Sequence, residues 1–298
     1  MPPLPATYEP RIHRAEVTAA RRVGPGMVRV TFGGADLRDF PTTGVGDEYV
    51  RLFFPEDPDE IPRLPSVSER GWAFADGVKP SEARVYTIRR HAPEEITVDF
   101  VVHDGGIAAA WASQARPGQV LGINPPYGQY ELPGTARRQI LVADEPGLPA
   151  ALRVAEQTAG LVPTTLVLEV RGEGHRMVAD VDGASYRWLC GTGNGQTPSQ
   201  LEEALRRLDI GDDTYVWVAT EGRLNRAIRK YLRHGLGLPA GHYKCIAYWQ
   251  DDSEAWRARY DELGEEFRDR IRTLWTDKER DSEEIVDDVQ RMYEVAGL

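Results

Sequence analysis

The chain has 298 residues, 41% of them hydrophobic and 28% charged, with a formal net charge of −11. That length allows two ordinary domains with a sizeable core, and the composition excludes a low-complexity or collagen-like polymer. Residues 251–298 hold 16 acidic and 8 basic side chains, and the rest is near neutral without a basic stripe, which argues against nucleic-acid binding.

The first 135 residues read as short strands. Alternating or β-branched runs fall at 15–20, 27–32, 48–54, 84–89, 96–102 and 119–123, separated by Gly, Pro and Asp turns. Six such strands without a long helix between them predict a closed antiparallel β-barrel. A polar insertion from Pro55 to Pro80 interrupts it, and a loop of that length predicts a functional or mobile segment.

After Gly134–Arg138 the pattern changes. Strands at 140–143, 164–170, 186–189, 214–219 and 243–248 alternate with helices at 149–158, 199–208 and 223–236. This alternation predicts a doubly wound α/β domain with a parallel sheet. The expected division is 1–135, 136–250 and a helical extension over 251–298. In that extension Trp256, Tyr260, Leu263, Phe267, Ile271 and Leu274 form one apolar stripe of an amphipathic helix, with Ser253 as its cap and the body as its docking partner. A second helix is expected near Ser282, capped by Asp281.

No run is apolar enough for a secretory signal or for the ~20 residues of a membrane span. The two cysteines, Cys190 and Cys245, cannot build a disulfide framework. A cytoplasmic protein without membrane insertion is the expectation. The six histidines show no zinc-type spacing, and neither a nucleophile elbow nor a P-loop is present.

The segment Arg84-Val85-Tyr86-Thr87-Ile88-Arg89 concentrates chemistry on one strand. Alternation puts Arg84, Tyr86 and Ile88 on one face and Val85, Thr87 and Arg89 on the other. A flavin nucleotide asks for a cation at its pyrophosphate, a flat surface for its ring and a short donor near its reactive nitrogen. The same spacing also fits an ordinary surface strand with two arginines. Downstream, Asp99-Phe100-Val101-Val102-His103 runs into Gly105-Gly106 and then Ala108-Ala109-Ala110-Trp111-Ala112. A strand, a glycine turn and a helix start of small residues let an anion approach backbone N–H groups. His103 alone fits a structural histidine equally well. The Gly191-Thr192-Gly193-Asn194-Gly195 run lacks dinucleotide-loop spacing and predicts a mobile loop bordering a cofactor crevice.

Taken in order, Arg-x-Tyr-Thr-x-Arg, Asp-Phe-Val-x-His with Gly-Gly and Trp-Ala, Arg116-Pro117-Gly118, Leu141-Val142-Ala143-Asp144-Glu145, Trp217-Val218-Ala219-Thr220-Glu221 and Tyr248-Trp249 resemble the siderophore-interacting proteins. The likeness covers roughly residues 10–250. It implies an FAD-dependent ferric-siderophore reductase of the ferredoxin-reductase-like superfamily, with NADH or NADPH as electron donor. By the same resemblance Arg84 meets the FAD pyrophosphate, Tyr86 the flavin or ribityl region, and Thr87 the reactive edge. Val101, His103, Gly106, Ala109 and Trp111 match the second FAD segment. Asp144 matches the adenine end, and Glu221, Tyr248 and Trp249 the nicotinamide side. Arg89 is a further cofactor or substrate candidate. Arg51 matches a basic residue of the substrate groove, and Tyr127 stands where relatives often carry arginine near its mouth. Pro146, where the family usually has threonine, removes a hydroxyl and a backbone donor beside Asp144.

Electrons would then pass from NAD(P)H through flavin to chelated Fe(III), releasing Fe(II). Two other readings stay open. One is a flavin reductase for another acceptor or one driven by ferredoxin, a donor that the acidic tail would repel. The other is a siderophore carrier without catalysis.

Overall fold

The computed structural model describes residues 8–68, 71–103, 105–277 and 279–298. In chain order the first part comprises β1 (His13–Gly24), β2 (Met27–Gly33), β3 (Tyr49–Phe54), β4 (Ser66–Ser68), β5 (Gly71–Ala73), β6 (Glu82–Ala92), β7 (Glu95–Val101), helix α1 (Ile107–Ser113) and β8 (Val120–Ile123). Six strands close a barrel in the order β1-β2-β7-β6-β3-β8, every neighbouring pair antiparallel, with β8 returning to β1. Period-two alternation drives this: in β1, His13, Ala15 and Val17 are buried while Arg14, Glu16 and Thr18 face solvent.

The barrel core holds Phe32, Leu52, Phe54, Ile88, Phe100 and Leu121. Helix α1 adds Trp111, whose ring stacks on Phe32 at 6.1 Å and meets Phe54 and Phe100 at 5.7 and 5.8 Å. The long insertion carries a short hairpin among its described residues. Its hairpin β4–β5 lies over the outer face of β3, where Trp72 packs on Phe53 at 5.2 Å.

The second part comprises β9 (Arg138–Ala143), α2 (Leu148–Gln157), β10 (Thr164–Val170), β11 (Ala184–Cys190), α3 (Leu201–Arg206), β12 (Thr214–Glu221), α4 (Gly222–Lys230) and β13 (Tyr243–Trp249). The sheet is parallel with order β11-β10-β9-β12-β13. Alternate residues serve opposite layers: Leu141 and Trp217 face Leu148 and Leu152 of α2, while Val142 and Val216 face α3 and α4. Successive strands are added outward on one side of β9 and then, from β12, on the other, so a crevice opens at the carboxyl ends of β9 and β12.

Barrel and sheet are joined through α2. Arg153, 5% exposed, donates to Glu48 Oε2 at 2.8 Å and to the Ile88 carbonyl. Glu48, fully buried, also accepts from the hydroxyls of Thr42 at 2.9 Å and Thr43 at 3.0 Å. Asp47 accepts from the backbone of Gln129 and Tyr130, both at 2.8 Å, and from Trp217 Nε1 of β12 at 3.2 Å. Two buried carboxylates, each satisfied from both sides of the seam, set how the barrel sits on the sheet.

The extension departs from the sequence expectation. The apolar stripe belongs to two helices, α5 (Ser253–Glu262) and α6 (Gly264–Thr276), divided where Gly264 takes φ +75°. Asp252, not Ser253, is the first cap, and its side chain makes no cap bond. The stripe packs chiefly on α7 (Ser282–Val295), with Ile271, Ile285 and Val289 as a small core and Tyr260, Phe267 and Leu274 around it. Asp281 caps α7 as expected, accepting from the backbone of Glu283 at 2.9 Å and Glu284 at 3.3 Å. Ion pairs tie α7 to the body: Arg229 of α4, 3% exposed, donates to Glu283 Oε2 at 2.6 Å and pairs with Asp287.

Candidate active site

On the outer face of the barrel, β3 and β6 run side by side with Tyr49 opposite Thr87 and Arg51 opposite Val85. Directly opposed residues of an antiparallel pair share a face. Tyr49, Arg51, Val85 and Thr87 therefore form one patch. Tyr127, bridged to Tyr49, adds its ring at 6.0 Å from the Tyr49 ring, and Arg51 places its guanidinium 5.2 Å from the Trp72 ring. Thr87 is 6% exposed, and its hydroxyl has no hydrogen-bond partner. Tyr248 of β13 reaches this hydroxyl from the sheet side without a hydrogen bond of normal geometry. The barrel and the sheet thus meet at Thr87.

The other residues of the β6 motif sit differently from the expectation. Tyr86 shares the inner face with Ile88 and packs on Phe100 at 4.4 Å, so the aromatic surface on the Thr87 side comes from Tyr49 and Tyr248. Arg84 lies near the start of β6, where it donates to Glu82 Oε2 at 2.6 Å and to the Ala83 carbonyl. A phosphate there must compete with Glu82. Arg89 is not a groove residue: it pairs with Glu156 of α2 through two bonds of 2.6 and 2.5 Å and belongs to the seam.

In the second segment, His103 and Gly106 adjoin, with His103 Cε1 3.3 Å from where a β-carbon on Gly106 would stand. Both are exposed at the mouth of the β7–α1 turn. Val101 sits opposite Met27 on the outer side of β7. Ala109 is 2% exposed on α1. Trp111 is corrected: it is a core residue, 2% exposed among three phenylalanine rings, and it turns away from the patch. The reason is volume, since the barrel interior needs a large apolar plug and α1 supplies it.

A cleft of ≈ 490 Å³ opens at the carboxyl ends of the sheet strands, lined by Asp144, Glu169, Asn194, Glu221 and Trp249 among others. Asp144 Oδ2 accepts from Trp249 Nε1 at 2.7 Å and from the Glu221 backbone at 2.9 Å, bridging the reversal point of the sheet. Its Oδ1 is buried without a partner. Glu221 caps α4, accepting from the backbone of Arg223 at 2.6 Å and Leu224 at 3.1 Å, so its carboxylate is a rim group already in use. The loop 191–195 is fastened rather than mobile: Asn194 Oδ1 accepts from the Glu145 backbone at 2.9 Å, and its amide donates to the Glu169 and Thr192 carbonyls, both at 3.3 Å. Sequence reading passed over Glu169, Trp72, Glu48 and Arg153. Glu169 alone left a signal, a carboxylate near the end of an apolar strand.

Burial, opposed by the bonds from Trp249 and Glu221, raises the Asp144 carboxyl to about 7. The folded chain therefore holds this proton more tightly than the unfolded chain. Its stabilising contribution is complete in acid and is lost as pH rises from about 4 through about 7. An Asp144→Asn variant keeps an acceptor for both N–H groups and cannot ionise. Its stability relative to the native chain should rise by about 2 kcal/mol between pH 5 and pH 8. Urea midpoints at the two pH values measure this, and parallel shifts of both proteins would contradict it.

Residues 16–130 match the siderophore-interacting FAD-binding domain, and residues 136–252 match the siderophore-interacting protein domain that follows. A siderophore utilization protein from T. fusca superposes with a TM-score of 0.71 at 30% identity, over 83% of this chain and 95% of that one. The chain belongs to the siderophore-interacting protein family. Among relatives of this family, the NADPH-dependent ferric-chelate reductase of Escherichia coli is 28% identical over 244 residues, covering 80% of this chain and 93% of that protein. The ferric vibriobactin reductase of Vibrio cholerae is 29% identical over 235 residues, 76% of this chain and 85% of that protein. A ferredoxin reductase of a carbazole dioxygenase shares the architecture at a TM-score of 0.60 and 16% identity. In this siderophore-interacting protein the barrel is the FAD-binding domain. The residues present fit the group: the Thr87 hydroxyl is buried, unpartnered and set among aromatic rings where barrel and sheet meet. Leaving such a hydroxyl unsatisfied costs about 1–3 kcal/mol, which a flavin edge can relieve.

Proposed function

We propose that this chain is an NAD(P)H-dependent, FAD-containing reductase of ferric siderophores that acts in the cytoplasm. The observation that carries the proposal is the patch itself: an unpartnered donor at Thr87, and beside it a cation and two rings open to solvent. When bound, FAD supplies the exchange between a two-electron donor and single electrons for Fe(III). Thr87 would meet the flavin edge, Arg84 the pyrophosphate, and Val101, His103, Gly106 and Ala109 the rest of the nucleotide. Tyr248 and Trp249 stand between this patch and the sheet cleft, where the nicotinamide nucleotide would bind with Asp144 and Glu221 at its walls. The domain division that goes with this reading is 1–135, 136–250 and 251–298.

Ferric siderophores are bulky and often anionic, and hard oxygen donors hold Fe(II) much less tightly than Fe(III). Arg51 offers charge, while Trp72 and Tyr127, each 37% exposed, offer flat apolar surface on either side of it. Arg51→Ala and Trp72→Ala are each expected to raise KM for an anionic ferric chelate about tenfold, a loss near 1.4 kcal/mol. Bleaching of the flavin by NAD(P)H should be untouched, because neither side chain lies at the sheet cleft. Steady-state kinetics with iron(II) trapped by a chromogenic chelator give both readouts, and unchanged chelate KM in both variants would remove the mouth from this face.

The test of the function is direct. The purified protein should be yellow, bleach with NADH or NADPH in the absence of oxygen, and regain colour when a ferric siderophore is added. A colourless protein that binds chelates would favour a carrier. Bleaching by reduced ferredoxin and by neither nucleotide would reassign the donor. With 28% identity to a protein named as NADPH-dependent, a nicotinamide donor is the better-supported choice.

A further inference from the structure

The sheet cleft contains a second buried carboxylate with an unused oxygen. Glu169 is the penultimate residue of β10, the strand next to β9, and is 1% exposed. Its Oε1 accepts from the Thr192 hydroxyl at 2.8 Å and from the Gln200 backbone at 2.7 Å, while its Oε2 has no partner. The group is therefore rotationally fixed, with one oxygen left over, and it lines the cleft. Residue 193 is glycine, with φ +65°; a β-carbon there would collide with Oε2, so only a residue without a side chain lets the carboxylate take this position in the cleft wall.

Position adds meaning to this geometry. In doubly wound sheets, a carboxylate at the end of the second strand, ~20 residues beyond the first strand's turn, accepts from the ribose 2′-hydroxyl of an unphosphorylated dinucleotide. Glu169 lies in the second strand of this sheet in chain order, one residue before its end and 25 residues after Asp144. A carboxylate there also repels a 2′-phosphate, which needs an arginine or lysine instead. The segment 191–200 beside it contains neither, and Glu221 and Asp251 add negative character against Arg223, the one cation among the described lining residues.

We infer that Glu169 is a specificity-determining residue that selects NADH over NADPH by accepting from a ribose hydroxyl and excluding a 2′-phosphate. The inference rests on reading this cleft as the nicotinamide-nucleotide site. It also separates this chain from its relative named as NADPH-dependent.

Two measurements on the FAD-loaded protein test it. Calorimetry compares ADP-ribose with its 2′-phosphate, and anaerobic stopped-flow compares flavin bleaching by NADH and NADPH. The native protein should favour the unphosphorylated member of each pair at least about tenfold, the range set by one charged hydrogen bond. Glu169→Gln should narrow both ratios, chiefly by weakening NADH. Equal use of both nucleotides, or preference for NADPH, overturns the selection while leaving the cleft as the nucleotide site. A native preference for NADH that Glu169→Gln leaves intact removes Glu169 from the role. If neither ADP-ribose ligand binds and neither nucleotide bleaches the flavin, the nucleotide reading of the cleft falls and this inference with it. The comparison on native protein stands even where the variant does not fold.

Discussion

Arg153→Ala should lower the free energy of unfolding by about 3–5 kcal/mol, the range seen when one partner of a buried ion pair is removed. The truncation strands Glu48, fully buried in the seam, with only Thr42 and Thr43 as donors. It also strips the donor from the Ile88 carbonyl, just where β6 bulges between Ile88 and Arg90. An unsatisfied carbonyl beside Thr87 frees the strand that carries the patch, so retention of FAD should fall together with stability. Arg153→Lys should recover only part of the loss, because an ammonium lacks the planar fork that spans two acceptors. Urea unfolding with flavin content measured in parallel reads both effects. A change below about 1 kcal/mol would mean that the seam is solvated and the pair contributes little.

Thr87→Val is expected to behave in the opposite way. The substitution keeps shape and deletes a hydroxyl that no protein group satisfies, so stability should hold or rise slightly. If the hydroxyl donates to the flavin edge, its loss removes a positioned donor at the reacting centre, an effect of about a hundredfold on rate. Anaerobic bleaching by the nucleotide should slow by that order in Thr87→Val and remain near native in Thr87→Ser. Equal rates in the native and valine proteins would place the reacting edge elsewhere. The pair of variants separates folding from chemistry: one side chain holds the seam, and the other faces what the seam creates.

Much of the architecture was legible in the chain. Period two marks all six barrel strands, and each is found within a few residues of its expected limits. The alternation of strands and helices after residue 138 marks the parallel sheet in the same way. What failed did so for physical reasons. Periodicity separates Tyr86 from Thr87 but does not say which face is the core, and the fold turns Tyr86 inward onto Phe100. Trp111 carried a family motif and a packing role at once, and the barrel uses it for packing. The tail stripe keeps its three- and four-residue steps through Gly264, so a break set by one glycine φ leaves no mark on the apolar pattern. Asp47, Glu48, Arg153 and Glu169 stayed hidden because a charged residue in sequence reads as surface. Their burial depends on partners 82 to 170 residues away or, for Glu169, on a loop folding back over it.

Helix α2 has one consequence for genetics. Its outer residues Arg153 and Glu156 hold the barrel by Ile88, Glu48 and Arg89, while its inner residues fill the sheet core. A screen for cells unable to liberate iron should consequently return alleles along this one helix as often as at the chelate mouth. Those alleles would look like flavin-loss mutants, although none of the altered side chains needs to touch the nucleotide.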